Sequence, residues 1–128
     1  MMEQMELACG FNHVGIPVND MDRTIAFYEK LDLHKVMDKV CNGTRFVFMQ
    51  NGTMLIEFFE NHQADGVTGS VNHFCMNTPD VEAAYDLLKD QVIMVSNGIE
   101  FLPFWEHGTK YFIFEGPDKE HIELCQNL

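Results

Sequence analysis

NHVGIPV at residues 12–18 is matched later in the chain by NHFCMN at residues 72–77. In both stretches a histidine is followed by apolar residues at every second position, which is typical of a half-buried β-strand. Seven residues after each histidine stands an aspartate, and the first of these, Asp20, is of a type favoured at the N-terminal cap of an α-helix. A strand that leads into a helix therefore occurs twice, and the sequence predicts an internal duplication.

Each predicted copy also ends on a similar stretch. The first copy ends on LIEFFEN at residues 55–61, and the second ends on HIELCQN at residues 121–127. Glu57 and Glu123 are the third residues of these stretches. Each copy thus supplies one histidine and one glutamate at matching places, and this recurrence suggests a single metal site built by pseudo-symmetry.

The first half of the chain predicts a strand, a helix and three further strands. Two Asn-Gly pairs are hairpin turn signals that separate the last three strands. The predicted strands cover residues 11–18, 33–41, 44–50 and 53–60, and the helix covers residues 21–31.

The same order recurs in the second half. Residues 62–70 contain two glycines and few apolar residues, which indicates a linker. After it, the predicted strands cover residues 71–77, 99–105, 110–115 and 120–126, and a helix that opens with Thr78-Pro79-Asp80 ends near residue 90. The predicted fold class is α+β, with two tandem βαβββ modules at residues 11–61 and 71–127.

The two faces of these strands differ in character, because side chains alternate along a strand. In the first strand, alternating apolar residues share one face and His13 lies on the other. In the fourth strand, Glu57 lies opposite the apolar set that includes Ile56. His73 and Glu123 are placed alike in the second module. We therefore expect the apolar faces to pack under the helices and the His and Glu faces to line a cleft.

Glu57 is the most informative of these polar residues. It interrupts MLIEFF at residues 54–59, which is otherwise apolar on both faces. A carboxylate in such surroundings costs several kcal/mol unless it is paired or bound to a cation, and only two arginines and six lysines are available to pair with it. Two imidazoles and two carboxylates form an N2O2 ligand set, which suits a divalent first-row metal ion.

Composition narrows the classes of protein that the chain can represent. Its 128 residues fit one domain with a real core. The net charge of −12 disfavours nucleic-acid binding, which needs basic patches, and weakly disfavours anionic membranes. No run of about 18 apolar residues is present, so no membrane span is expected.

The cysteines and the N-terminal residues point to the cytoplasm. Cys9, Cys41, Cys75 and Cys125 form no Cys-x-x-Cys pair, and we interpret them as reduced thiols that act as small buried hydrophobic residues. Residues 1–6 lack the basic and apolar pattern of a signal peptide.

These motifs resemble those of the vicinal oxygen chelate superfamily, the glyoxalase and bleomycin-resistance fold. The resemblance covers residues 11–127, read as a single domain with its linker at residues 62–70. It is carried by NHVGIPV at 12–18, AFY at 26–28, LIE at 55–57, NHF at 72–74, GPD at 116–118 and HIEL at 121–124. The resemblance implies two βαβββ modules whose sheets curl around a metal-binding cleft, and it implies a homodimer.

Carried over to this chain, the ligands of that metal are His13, Glu57, His73 and Glu123. This set is most similar to glyoxalase I, an isomerase of the hemithioacetal of methylglyoxal and glutathione. The resemblance favours nickel or cobalt, then zinc, with manganese or iron also open. Glyoxalase I members usually place an arginine for the glutathione carboxylate four residues after the first ligand, and here that position is Pro17. The sequence leaves open whether one chain or two chains build the site.

The resemblance implies a metal-dependent isomerase or lyase that acts through an enediolate on a small α-hydroxy or α-keto substrate, thiol-linked substrates included. We assign the base to Glu123, with Glu57 as its catalytic counterpart. We expect Leu55, Phe59 and Asn77 to line the substrate cleft, because they share the faces of the ligands.

Three other functions stay open. A non-catalytic protein that binds an antibiotic-type small molecule is indicated by the acidic charge and by Phe101, Phe104 and Trp105, aromatic residues that could stack on a ligand. Epimerases and extradiol dioxygenases of the same superfamily also resemble this layout. Dioxygenases typically keep two histidines and one glutamate, without the acid found here at Glu57.

Overall fold

A computed structural model describes residues 11–67 and 71–128 of the chain. Residues 1–6, in which no signal peptide was expected, and Cys9 lie outside the described residues, as does the end of the predicted linker at residues 68–70. The chain divides into two compact units with the boundary between Gln63 and Ala64. This boundary lies inside the predicted linker.

The first unit contains one helix and a four-stranded sheet. Its elements are β1 (Val14–Val18), α1 (Met21–Glu29), β2 (His34–Cys41), β3 (Thr44–Asn51) and β4 (Met54–Glu60). The strand order is β1-β4-β3-β2, with β1 parallel to β4 and the other neighbours antiparallel. The predicted order of one strand, one helix and three strands is therefore confirmed.

The second unit repeats this arrangement. Its elements are β5 (Phe74–Asn77), α2 (Val81–Leu88), β6 (Ile93–Met94), β7 (Glu100–Leu102), β8 (Thr109–Glu115) and β9 (His121–Asn127). The main path is β5-β9-β8-β6, with β5 parallel to β9, and β7 pairs with β8 beside β6. Each unit has its own sheet, and the α+β class with two tandem modules is confirmed.

Strand β6 was not predicted from the sequence. In the first unit β2 pairs with β3 along its length, whereas in the second unit two short strands, β6 and β7, share the equivalent edge of β8. Between them the Ser96 hydroxyl accepts a hydrogen bond from the backbone N–H of Ile113 at 2.9 Å. The Ser96 side chain thus replaces one hydrogen bond of the backbone ladder. The sequence did not predict β6 because a strand of two residues leaves no periodic pattern of apolar residues.

The predicted first strands of both modules begin too early. β1 begins at Val14, which lies opposite Ile56, and β5 begins at Phe74, which lies opposite Ile122. His13 and His73 therefore precede their strands by one residue, because the parallel ladder does not extend to them.

The first helix begins at Met21, as predicted, but the second begins at Val81, so the prediction that Pro79 lies in its first turn is wrong. The Asp20 carboxylate accepts a hydrogen bond from the backbone N–H of Arg23 at 3.1 Å, and the Asp80 carboxylate accepts one from the backbone N–H of Ala83 at 3.0 Å. The two helices have nine and eight residues. No helix in the described ranges is long and apolar enough to cross a membrane.

The apolar faces of the strands form the core of each unit, as predicted. In the first unit the Tyr28 ring of α1 lies 4.7 Å from the Phe58 ring of β4, and both side chains are fully buried. In the second unit the Tyr85 ring of α2 lies 5.4 Å from the buried Phe112 ring of β8. Each helix thus covers the face of its sheet that lies opposite the glutamate.

A core substitution beside Glu57 tests this assignment. Ile56→Ala is expected to lower the free energy of unfolding by about 2–5 kcal/mol and Ile56→Val by about 0.5–1.5 kcal/mol, because the buried side chain leaves a cavity when it is shortened. Denaturant titration followed by circular dichroism measures both changes. Val40→Ala on the exposed face of β2 is the control and should change stability by less than about 0.5 kcal/mol. An effect of Ile56→Ala as small as that of the control would contradict the core assignment.

Candidate metal centre

Each unit brings its predicted histidine and glutamate together. In the first unit His13 Nε2 lies 3.9 Å from Glu57 Oε1. In the second unit His73 Nε2 lies 3.3 Å from Glu123 Oε1. The side chains of the two glutamates are 24% and 17% exposed, so both carboxylates are largely withdrawn from solvent.

The register of the parallel strands produces these pairs. Gly15 in β1 lies opposite Glu57 in β4, and Cys75 in β5 lies opposite Glu123 in β9. Each glutamate therefore shares a face with the residue two positions after the histidine. The histidine, one residue before the strand, lies on this same face. The same pairing therefore forms in both units.

An asparagine holds each histidine ring. Asn12 Oδ1 lies 2.6 Å from His13 Nδ1, and Asn72 Oδ1 lies 3.0 Å from His73 Nδ1. The roles of the two ring nitrogens depend on the tautomer, and an amide oxygen only accepts hydrogen bonds, so this contact selects the tautomer with Nδ1–H. In a neutral ring of that tautomer, the Nε2 lone pair faces the glutamate.

This arrangement fits a bound cation. A lone pair and a carboxylate that face each other repel unless a proton or a metal ion lies between them. At the first pair the distance of 3.9 Å is too long for a direct hydrogen bond. Metal-binding histidines usually donate their second N–H to a neighbouring polar group, as His13 and His73 do here. The donor atoms therefore suit a divalent first-row metal ion.

The surroundings of Glu57 are apolar and closely packed. A Cβ atom on Gly15 would lie 3.1 Å from Glu57 Oε1 and 3.5 Å from an edge atom of the Phe59 ring. Because Gly15 has no side chain, the Glu57 carboxylate has room beside it. The Phe48 ring, opposite Glu57 in β3, makes an edge contact with the His13 ring at 5.2 Å.

The surroundings of Glu123 contain two thiols instead. Cys75 Sγ lies 3.2 Å from Glu123 Oε2 and 3.1 Å from Cys125 Sγ. These three residues are the one group of three or more metal-binding side chains with mutually close ligand atoms among the described residues. Cys75 as a whole residue is exposed, but its sulfur is partly covered. This partial burial raises the pKa of the Cys75 thiol above its usual range, and the contacts with Cys125 and Glu123 act in the same direction.

The expectation that the cysteines are small buried residues is wrong for those that the structure describes. Cys41 and Cys75 are exposed, and Cys125 is half-buried. The reason for Cys75 and Cys125 is that they lie on the glutamate side of their strands, away from the face that packs under α2.

Residues 10–124 match the model of the Glyoxalase/Bleomycin resistance protein/Dioxygenase superfamily. The chain belongs to this superfamily. The family resemblance that the motifs indicated is thereby confirmed. Its members include both enzymes and antibiotic-binding proteins, so membership alone does not fix an activity.

Individual members of the superfamily show how widely the fold is used. The uncharacterized protein YwbC of Bacillus subtilis (strain 168) is 31% identical, over 94% of this chain and 99% of its own length. The fosfomycin resistance protein FosX of Listeria monocytogenes, solved with Mn(II) and a sulfate ion, has a TM-score of 0.71 at 15% identity and 95% coverage of both chains. A bleomycin resistance determinant encoded on the transposon Tn5 has a TM-score of 0.69 at 23% identity, over 92% of this chain and 98% of its own. At these identities the two structures show a shared fold.

Within this superfamily fold, the predicted lining residues lie near the glutamates. Leu55 and Phe59 are half-buried and flank Glu57 on β4. Asn77 is exposed at the end of β5, with its Oδ1 atom 3.8 Å from Cys125 Sγ. Their contact with a substrate stays a prediction.

Sequence reasoning missed several residues of the candidate centre. The two asparagines were visible as the repeated Asn-His pair, but no role followed from the repeat alone. Phe48 carries no sequence signal, because only the pairing of β3 with β4 places it beside His13. The missed residues are Asn12, Phe48, Asn72, Cys75 and Cys125.

The role of Asn72 can be tested by removing its side chain. We expect the neutral His73 ring of the metal-free protein to carry its proton on Nδ1, and we expect Asn72→Ala to shift it toward the Nε2–H form, because the acceptor is lost. Long-range ¹H–¹⁵N correlation spectra of the imidazole rings distinguish the two forms. Asn97→Ala, in the loop between β6 and β7, serves as the control. Unchanged His73 spectra in Asn72→Ala would rule out the proposed hydrogen bond.

Proposed function

We propose that this chain is a metal-dependent isomerase or lyase of the glyoxalase type. It acts through an enediolate on a small α-hydroxy or α-keto substrate, thiol-linked substrates included. One observation carries the proposal: in both units, a histidine held at Nδ1 by an asparagine directs Nε2 toward a glutamate. A duplicated cation-binding arrangement of this kind has no use in a protein that only stacks aromatic ligands.

The proposed ligands are His13, Glu57, His73 and Glu123, which together hold one divalent ion per site. Nickel or cobalt is favoured, zinc comes next, and manganese or iron stays open. The ion supplies Lewis-acid polarisation of a substrate carbonyl, which lowers the pKa of the adjacent C–H bond. Support for a divalent ion comes from the N2O2 donor set and from FosX, a fold relative solved with Mn(II).

Glu123 is proposed to accept the proton from the substrate carbon, with Glu57 as its counterpart in proton transfer. A carboxylate acts well as a base when it is partly shielded from water. Glu123 meets this condition, since its side chain is 17% exposed and its two oxygens contact His73 and Cys75.

Leu55, Phe59 and Asn77 are proposed to line the substrate site. Leu55 and Phe59 present apolar surface on either side of Glu57 and would exclude water from it. Asn77 offers both a hydrogen-bond donor and an acceptor, which suits the oxygens of a small hydroxy or keto compound.

The first experiment measures the metal content of protein purified without a nickel-affinity step, by elemental mass spectrometry. We expect about one nickel, cobalt, zinc or manganese ion per site, because four oxygen and nitrogen ligands suit these ions. The double variant His13→Ala with His73→Ala should lose the ion, and His34→Ala, on exposed β2, is the control that should keep it. Iron in the protein would favour the dioxygenase alternative. Protein that holds no metal and takes up none would refute the enzyme proposal.

The second experiment tests the base. Glu123→Gln should keep the fold and much of the metal, yet lose turnover by at least about 10²-fold, because an amide does not accept the substrate proton. Turnover is followed by loss of hemithioacetals formed from α-keto aldehydes and a set of small thiols. Glu106→Gln, at a fully exposed acid, should leave the rate unchanged. If Glu123→Gln still turns over at the wild-type rate, Glu123 is not the base.

A second candidate function is supported by exposed aromatic residues. Phe101, Phe104 and Trp105 are 55%, 54% and 76% exposed, which provides stacking surface for a cationic aromatic ligand on an acidic protein. Trp105 is the single tryptophan, so its fluorescence reports such binding directly. Saturable quenching by a cationic aromatic compound that Glu57→Gln leaves unchanged would favour a binding protein over an enzyme.

The proposal includes a homodimer in the cytoplasm. Light scattering of the purified chain measures the oligomeric state. A monomer that is nevertheless active would show that one chain builds the whole site.

A further inference from the structure

The two units differ at the positions that flank the glutamate. In the first unit the residue opposite Glu57 is Gly15, and the residue two positions after Glu57 is Phe59. The equivalent positions in the second unit hold Cys75 and Cys125. The same backbone arrangement thus carries no metal-binding side chain at these places in one unit and two thiols in the other.

These thiols lie on the glutamate side of the sheet with their sulfurs together. Cys75 and Glu123 are direct neighbours across the β5–β9 pair, and Cys125 follows on the same face. The ligand atoms of the three residues all lie within 4.8 Å of one another. His73 Nε2 lies 3.3 Å from Glu123 Oε1 but is not part of this group of mutually close ligand atoms.

We propose that the second unit by itself binds a thiophilic metal ion through Cys75, Glu123 and Cys125, with a solvent water as the fourth ligand. Two sulfurs and two oxygens make a tetrahedral set that suits Zn²⁺, and the sulfurs favour Zn²⁺, Cd²⁺ or Cu⁺ over harder ions. As the ion binds, both thiols release their protons to solvent.

The distances fit an ion better than a disulfide. With Zn–S bonds of about 2.3 Å, two sulfurs of a tetrahedral site are about 3.8 Å apart, whereas a disulfide needs about 2.05 Å. The two sulfurs are 3.1 Å apart, and a small rotation of either side chain would lengthen this distance to the zinc value. Cys75 is exposed and Cys125 is half-buried, so an ion has access from solvent. The net charge of −12 raises the local concentration of cations.

This site goes beyond the proposed function, because it requires no residue of the first unit. Glu123 belongs to both ligand sets, so the test must separate thiolate ligation from binding at the histidine and glutamate pairs. Cobalt does this, since thiolate bonds to Co²⁺ give a charge-transfer absorption in the near ultraviolet that imidazole and carboxylate ligands do not give.

The experiment is a Co²⁺ titration of the full chain under a phosphine reductant, followed by absorption. We expect the charge-transfer band in the wild-type chain and its loss in Cys75→Ser with Cys125→Ser. Cys41→Ser, at the exposed cysteine of β2, is the matched control and should keep the band. His13→Ala with Glu57→Gln should also keep it, because the first unit is not needed. Circular dichroism checks that each variant folds, and Cys125→Ala alone replaces the double variant if that chain does not fold.

Each result decides between the two sites. A cobalt spectrum that the cysteine variants leave unchanged, or binding without a charge-transfer band, would overturn the thiolate site and leave the proposed metal centre standing. Loss of the band in His13→Ala with Glu57→Gln would also overturn it, because the thiols would then depend on the first unit. If His13→Ala with Glu57→Gln keeps the charge-transfer band but loses its metal binding without thiolate ligands, the result would support both the thiolate site and the proposed metal centre.

Discussion

The parallel pairing of the first and last strands of each unit is the constraint on which the candidate centre depends. In a parallel ladder the residues opposite each other share a face, so the register decides which side chain meets the glutamate. Opposite Glu57 this residue is Gly15, and opposite Glu123 it is Cys75. A shift of one residue would turn both glutamates into the apolar core, where an unpaired carboxylate costs several kcal/mol.

Because of this pairing, the buried apolar residues and the glutamate lie on opposite faces of each sheet. One face of β4 buries Ile56 and Phe58 against α1, and the other presents Glu57. The glutamate face lies away from this core, so the two units can differ there while they keep one fold. The first unit has Gly15 and Phe59 at the positions where the second has Cys75 and Cys125.

Polar residues next to the histidines complete the arrangement. Asn12 and Asn72 use their side-chain oxygens to fix the histidine rings, so that Nε2 faces the glutamate in both units. The two pairs are otherwise unequal, since Phe48 packs on the ring of His13 while thiols lie beside Glu123. The histidine and glutamate pair of the first unit therefore has an aromatic neighbour, and the pair of the second unit has sulfur neighbours.

The sequence by itself determined the duplication, the α+β class, the Asp20 cap of the first helix and the face on which each histidine and glutamate lies, because these follow from local periodicity and from residue types. The tertiary structure alone decided the start of β1 and β5, the split of one edge strand into β6 and β7, and the contact of Cys75 with Cys125 and Glu123. Those features depend on which residues of distant strands lie opposite each other, and a linear pattern does not contain that register.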